Sequence, residues 1–198
     1  MRISLLLLVT VMDDHLLQIY LEQAQEECER SFKAIEQLNA ALASKGDPFQ
    51  SAQALVHHAA AVSRIFWPPG GRDSAKGERS RRRGEALRHS IGVAEGHPVQ
   101  DRALRDHFEH FDERLDEWAE GSSNRNMVKN LVGPRSSISG PGISDGDIIN
   151  HYDPATNVYA FRGEHFDVQA LTTGLRDIYA KVNKKLGTIW PHNRGRGG

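Results

Sequence analysis

The sequence predicts a mainly α fold: a helical bundle of four to five helices with one small β-hairpin before the last helix. Three observations lead there. Apolar residues recur at spacings of three and four along most of the chain. Clusters of Gly and Pro punctuate those stretches. Two short runs flank a turn signal at 148–162, the pattern of a hairpin.

Residues 13–45 read as the first helix. Leu17, Leu21, Ala24, Cys28, Ile35, Leu38 and Leu42 form its stripe, with one gap of seven. Gly46 ends it, and Asp47-Pro48 starts the second as N-cap and first helical residue. The second helix runs to about Phe66, with Ala52, Leu55, Val56, Ala59, Val62 and Phe66 facing inward, and Pro68-Pro69-Gly70-Gly71 stops it. Residues 68–84 read as a polar loop carrying Arg79 and Arg81–Arg83, followed by a short helix at 84–92. The strongest helix is expected at 98–120, where Leu104, Phe108, Phe111, Leu115 and Trp118 repeat at 4-3-4-3, as in the core of a bundle. Residues 121–146, rich in Gly, Ser, Pro and Asn, read as a long loop. Ile148–Asp153 and Val158–Arg162 around Pro154–Asn157 give the hairpin. Asp167 then caps a last helix that buries Val168, Leu171, Leu175, Ile178, Val182 and Leu186.

Residues 13–186 thus form a single domain, with 187–198 a flexible tail. Residues 1–12 are an apolar N-terminal extension. Arg2 before Ile3–Val11 has the front of a signal peptide, but no small-x-small cleavage site follows and the run is too short to span a bilayer. Met12 directly precedes a good helix start and is expected to be the natural one. A signal peptide or a packed apolar arm are the alternatives.

The chain has 198 residues, 38% of them hydrophobic and 26% charged, with a net charge of −1. That balance argues against a protein coated in positive charge to bind polyanions, but leaves room for a local patch. Asp13–Asp47 holds eight acids and three bases, whereas Arg64–Arg105 holds ten bases and five acids. The basic stretch leads directly into the 98–120 segment, where an anionic partner would be drawn; a merely solvated loop is the competing explanation. The single cysteine, Cys28, makes no intramolecular disulfide and no thiolate zinc site, and reads as a core thiol in a reducing, cytoplasmic compartment.

With Leu104 at zero and about 100° per residue, the stripe of the 98–120 helix spans roughly −40° to +40°. His107 falls near 300°, His110 near 240° and Asp106 near 200°. Asp106 and Arg114 each stand four residues from His110, so a helix brings a carboxylate and a guanidinium to one imidazole. Carboxylate beside imidazole fixes the tautomer and raises the pKa; a guanidinium holds a phosphate. Together they suit metal-free phosphodiester cleavage in RNA, whose 2′-hydroxyl is the nucleophile. Polar helix faces carrying Arg, Asp and His are common, so spacing alone leaves a plain boundary cluster as the alternative.

The run Arg105-Asp106-His107-Phe108-Glu109-His110 resembles the HEPN superfamily motif: Arg, a polar residue, three variable residues, then His. The resemblance covers about twenty residues, Leu104–Trp118 included. It implies a small helical bundle, a homodimer whose two motifs meet to form one RNA-cleaving site, and no cofactor or metal. Many members are toxins acting as metal-independent endoribonucleases with antitoxin partners; others are inactive and bind nucleotides or serve as scaffolds. By position, Arg105 contacts the phosphate, Asp106 takes the polar slot and His110 transfers protons, with Arg102, His107 and Arg114 assisting substrate binding. Asn is the commoner residue in the polar slot, so Asp106 departs from the pattern. Arg102 to His107 has the same spacing, but Ala103 then fills the slot.

Other candidates are weaker. His57-His58 reads as a partly exposed pair, and His57, His58 and His97 lack a metal-ligand spacing. Gly70-Gly71, Gly140 and Gly142 lack a strand–loop–helix context for phosphate. Trp67, Trp118 and Trp190 read as packing or tail residues.

Overall fold

The fold comes from a computed structural model that describes residues 12–69, 74–101, 111–122, 124–138 and 142–189. Among these are five α-helices: α1 (Asp14–Ala43), α2 (Phe49–Phe66), α3 (Ala75–Ile91), α4 (Phe111–Gly121) and α5 (Val168–Ile189). The strands are β1 (Val128–Val132), β2 (Ile148–Asp153), β3 (Val158–Phe161) and β4 (Glu164–Asp167). A mainly helical bundle with a small sheet before the last helix is therefore the architecture, as the sequence predicts. No helix among the described residues is long and apolar enough to cross a membrane.

The core is built around α1, which packs along both α2 and α5. Asp13 caps it, its Oδ1 accepting the Leu16 N–H at 2.8 Å. The seven-residue gap in the apolar stripe is filled by Ser31, fully buried, whose hydroxyl donates to the Glu27 carbonyl at 2.9 Å. Ala34 is buried where the stripe pointed to Ile35, which is only partly covered. Tyr179 and Phe32 meet edge to face with centroids 5.3 Å apart, and Gln25 donates to Asn183 at 2.7 Å, tying α1 to α5.

Helix α1 ends in a Schellman motif: Gly46 N bonds Ala41 O and Lys45 N bonds Leu42 O. The left-handed position falls on Lys45, at φ 55°, not on the glycine that follows. Asp47 accepts the Phe49 N–H at 2.8 Å, but Pro48 is the capping position, so α2 starts one residue later than expected.

The stretch 68–84, expected to be a loop, contains most of α3. Ser74 caps it by accepting the Gly77 N–H at 3.0 Å, and Gly92, at φ 68°, closes it. The expected short helix at 84–92 is its second half; apolar periodicity misses the first half because the buried face there is Gly77 and Gly84, ahead of Leu87 and Ile91. Gly84 has a steric purpose. A Cβ there would stand 2.5 Å from Pro68 Cδ and 2.6 Å from Phe66 O, so its absence lets α3 lie against the end of α2.

The expected α-helix 98–120 does not begin at 98. Pro98–Gln100 is a 3₁₀ turn and Asp101 leaves helical geometry with ψ 127°. The turn is seated on α5, where a Cβ at Gly174 would lie 3.0 Å from Val99 and 3.1 Å from His97. In α4, Leu115 and Trp118 are half-buried, so the described part of that stripe is a boundary face, not core. Its earlier members fall outside the described side chains.

The sheet has strand order β1-β2-β3-β4, with β1 parallel to β2 and the other pairs antiparallel. The hairpin at 148–162 is present, with Asp153 paired to Val158 across 154–157. A second hairpin turns on Arg162-Gly163, at φ 48° and 83°, the two positive values of a type I′ turn. Strand β1 lies in the stretch expected to be loop; its exposure pattern lacks alternation, which hides it from a period-two search. Tyr152, Tyr159 and Phe166 line up across three strands and face the helices, and Gln53 of α2 donates to Asn150 at 2.9 Å. Asp167 caps α5 through Ala170 N at 2.8 Å.

Three substitutions test these backbone readings in urea unfolding. Lys45→Gly should add about 1 kcal/mol of stability and Gly92→Ala should remove about as much, because the left-handed position suits glycine. Gly84→Ala should cost about 1–2 kcal/mol, overpacking outweighing the gain in helix propensity. A Gly84→Ala variant as stable as the parent would contradict the close approach.

Candidate functional site

Of the residues the sequence singles out, Arg102, Arg105, Asp106, His107 and His110 lie outside the described residues. Arg114 stands on α4 one turn before Trp118, but its side chain is not among those described. What the fold does describe is the helix that this segment runs into, and the cleft at its end.

The last turn of α4 borders a cleft of about 570 Å³. Trp118, Gly121 and Ser122 line it from the helix side, Ser144 and Asp147 from the loop before β2, and Arg162 from the β3–β4 turn. Asp147 is 4% exposed and ties the helix side to the loop. Its Oδ1 accepts Trp118 Nε1–H at 2.8 Å and the Ser122 hydroxyl at 3.0 Å. Its Oδ2 accepts the Ser144 N–H and hydroxyl, both at 2.7 Å. Burial opposes the charge, but the bonds from the Ser144 backbone and hydroxyl, Trp118 and Ser122 outweigh it and hold the pKa at about 2. A carboxylate with both oxygens taken by donors is an anchor, not a base. What it anchors is the edge of the half-buried Trp118 indole.

These residues were passed over in the sequence. Trp118 reads there as packing, Ser122 sits in the stretch 121–146 that reads as loop, and Asp147 falls between that stretch and the hairpin. The spacing Ser144-x-x-Asp147 is a capping-box pattern and was the available signal.

A smaller pocket of about 220 Å³ lies beside α3, lined by Trp67, Pro68, Arg81, Glu85, Arg88 and Gln100. Arg88 is fixed there by the Phe66 carbonyl, by Glu95 at 2.7 Å and by the Trp67 ring. The basic run is helical, so its charges are held in an array: Lys76, Arg79 and Arg82 are exposed, and Arg83 lies over the Tyr20 ring at 4.9 Å.

His97 and His58 hold structural contacts. His97 stacks on Trp67 at 5.6 Å; its Nδ1 accepts the Val99 N–H at 3.2 Å and its Nε2 faces Asp177 at 3.3 Å. Burial pushes its pKa below the ordinary value against the pull of Asp177. Both ring nitrogens are used within the fold. His58 meets Glu27 at 2.7 Å, and Arg30 binds the other oxygen of that carboxylate at 2.6 Å, linking α1 to α2. Burial pushes the Cys28 thiol up to about 12, consistent with an inert core group. Among the described residues no group of three or more His, Cys, Asp or Glu could hold a metal ion.

No known family model matches the chain, and no curated protein or solved structure matches it either.

The anchoring of Asp147 has a pH signature. Its pKa is lower folded than unfolded, so its contribution is present above about pH 4 and is lost as pH falls toward 2. Discounted for the open cleft, that contribution is on the order of 1 kcal/mol. Asp147→Asn should therefore flatten the acid limb of the stability curve; an unchanged limb would show that this carboxylate is not the anchor.

Proposed function

We propose that this chain is a HEPN-like, metal-independent endoribonuclease acting as a homodimer. The observation that carries the reading is the Arg105–His110 motif, which lies directly before α4 in the sequence, the helix that borders a cleft of about 570 Å³. In this reading Arg105 holds the scissile phosphate, and Arg102, His107 and Arg114 add substrate contacts. His110 of one protomer takes the proton from the 2′-hydroxyl, and the second copy of His110 protonates the departing 5′-oxygen. The products are a 2′,3′-cyclic phosphate and a 5′-hydroxyl.

The exposed cations of α3 support an RNA substrate, since a fixed array of positive charge draws a polyanion. The single buried thiol supports action in the cytoplasm, and a toxin of this kind would be held in check by an antitoxin protein. A second reading keeps the same fold and surface without catalysis, as an RNA- or nucleotide-binding scaffold. Asp106 favours it, because a carboxylate in the polar slot repels phosphate.

Incubation of purified protein with total RNA in EDTA separates these readings. The nuclease reading expects cyclic-phosphate ends, and a rate at least about a hundredfold lower in His110→Ala. Cleavage that requires added magnesium would sink this mechanism. Uncut RNA, equal in the parent and in Arg105→Ala, would leave the scaffold.

A further inference from the structure

We propose that the cleft at the end of α4 is a base-stacking subsite, in which Trp118 presents its indole face to an unpaired nucleobase of RNA. The identity of the polymer rests on the ribonuclease reading; the subsite rests on geometry that is independent of the motif.

A stacking platform needs an aromatic ring that is partly open, rigid and bordered by enough empty volume for a flat ligand. Trp118 is half-buried and lines the cleft. Its edge is fixed by the 2.8 Å bond from Nε1 to Asp147, a charge-assisted contact at a carboxylate that burial and three other donors hold in place. An indole held by its edge keeps its face at a set angle and loses little freedom when a ring stacks on it. The volume of about 570 Å³ lies in the range of small-ligand sites. Glycines at 121, 142 and 146 line the cleft, leaving room beside the ring. Arg162 completes the lining with a cation on the sheet side. Stacking on an aromatic ring is how unpaired bases are held with little sequence preference. That fits an enzyme or scaffold that selects single-stranded segments and not one sequence.

Gly121 supplies a test that does not touch the anchor. Gly121 lines the cleft and a Cβ built there meets nothing within 4 Å, so Gly121→Leu starts a bulky side chain in open space at the cleft and replaces neither Asp147 nor Trp118. The experiment measures binding of a labelled single-stranded oligoadenylate by fluorescence anisotropy in EDTA, with unlabelled AMP as competitor. Gly121→Leu and Trp118→Leu should each weaken binding about tenfold, Trp118→Phe should keep most of it, and AMP should compete. Parent-like affinity in Gly121→Leu would overturn the subsite, and so would failure of the parent protein to bind the oligonucleotide. Should Trp118→Leu not fold, Gly121→Leu decides alone. His110→Ala keeps the two proposals apart: it should bind the oligonucleotide normally while losing cleavage. Binding without cleavage in the parent defeats the nuclease reading and spares the subsite. Cleavage with unchanged affinity in Gly121→Leu does the reverse.

Discussion

The carboxylate of Asp147 sits where the end of α4 meets the loop before β2, and the placement of α4 depends on the bonds it accepts. Trp118 and Ser122 reach it from the helix, and Ser144 reaches it from the loop that leads into β2. Removing a buried carboxylate from such a cluster leaves donors unmatched, which costs more than the bonds themselves are worth. The same bonds hold the carboxylate ionised, so the electrostatics and the geometry have one cause. Because α4 continues the segment carrying Arg105 and His110, the anchor also bears on the proposed chemistry.

The helical core is built on close packing. Helix α1 is enclosed by α2 and α5, and its contact face uses Ala24, Cys28, Ser31 and Ala34, residues small enough for close helix approach. The sheet joins the helices through an aromatic row and through Asn150, which also accepts the Tyr159 hydroxyl at 2.9 Å. Glycines govern two further approaches: Gly84 lets α3 meet the end of α2, and Gly174 seats the 97–99 turn on α5.

Helices with apolar stripes were legible in the sequence, and so were the helix start after Met12, the cap at Asp167 and the first hairpin. Those features depend on local periodicity and local turn chemistry. Helix α3 was legible only in its second half, the short helix expected at 84–92, because a buried face that begins with glycine carries no hydrophobic signal. Strand β1 was missed because it is short and without alternation. The expected helix start at Pro98 failed because a tertiary contact, the turn against Gly174, overrides a good local N-terminal sequence. For the site, spacing pointed to Arg105, Asp106 and His110, whereas Trp118 and Asp147 escaped notice because their relation spans 29 residues of chain. Only the fold brings an indole and a carboxylate that far apart in sequence to one cleft.

Hydrogen exchange at the Trp118 indole tests this arrangement most directly. By NMR, the Trp118 Nε1–H should exchange slowly at neutral pH and lose that protection as acid titrates Asp147, with no matching loss in Asp147→Asn. Rapid exchange at neutral pH, or protection that is indifferent to Asp147, would contradict the anchor on which the cleft is built.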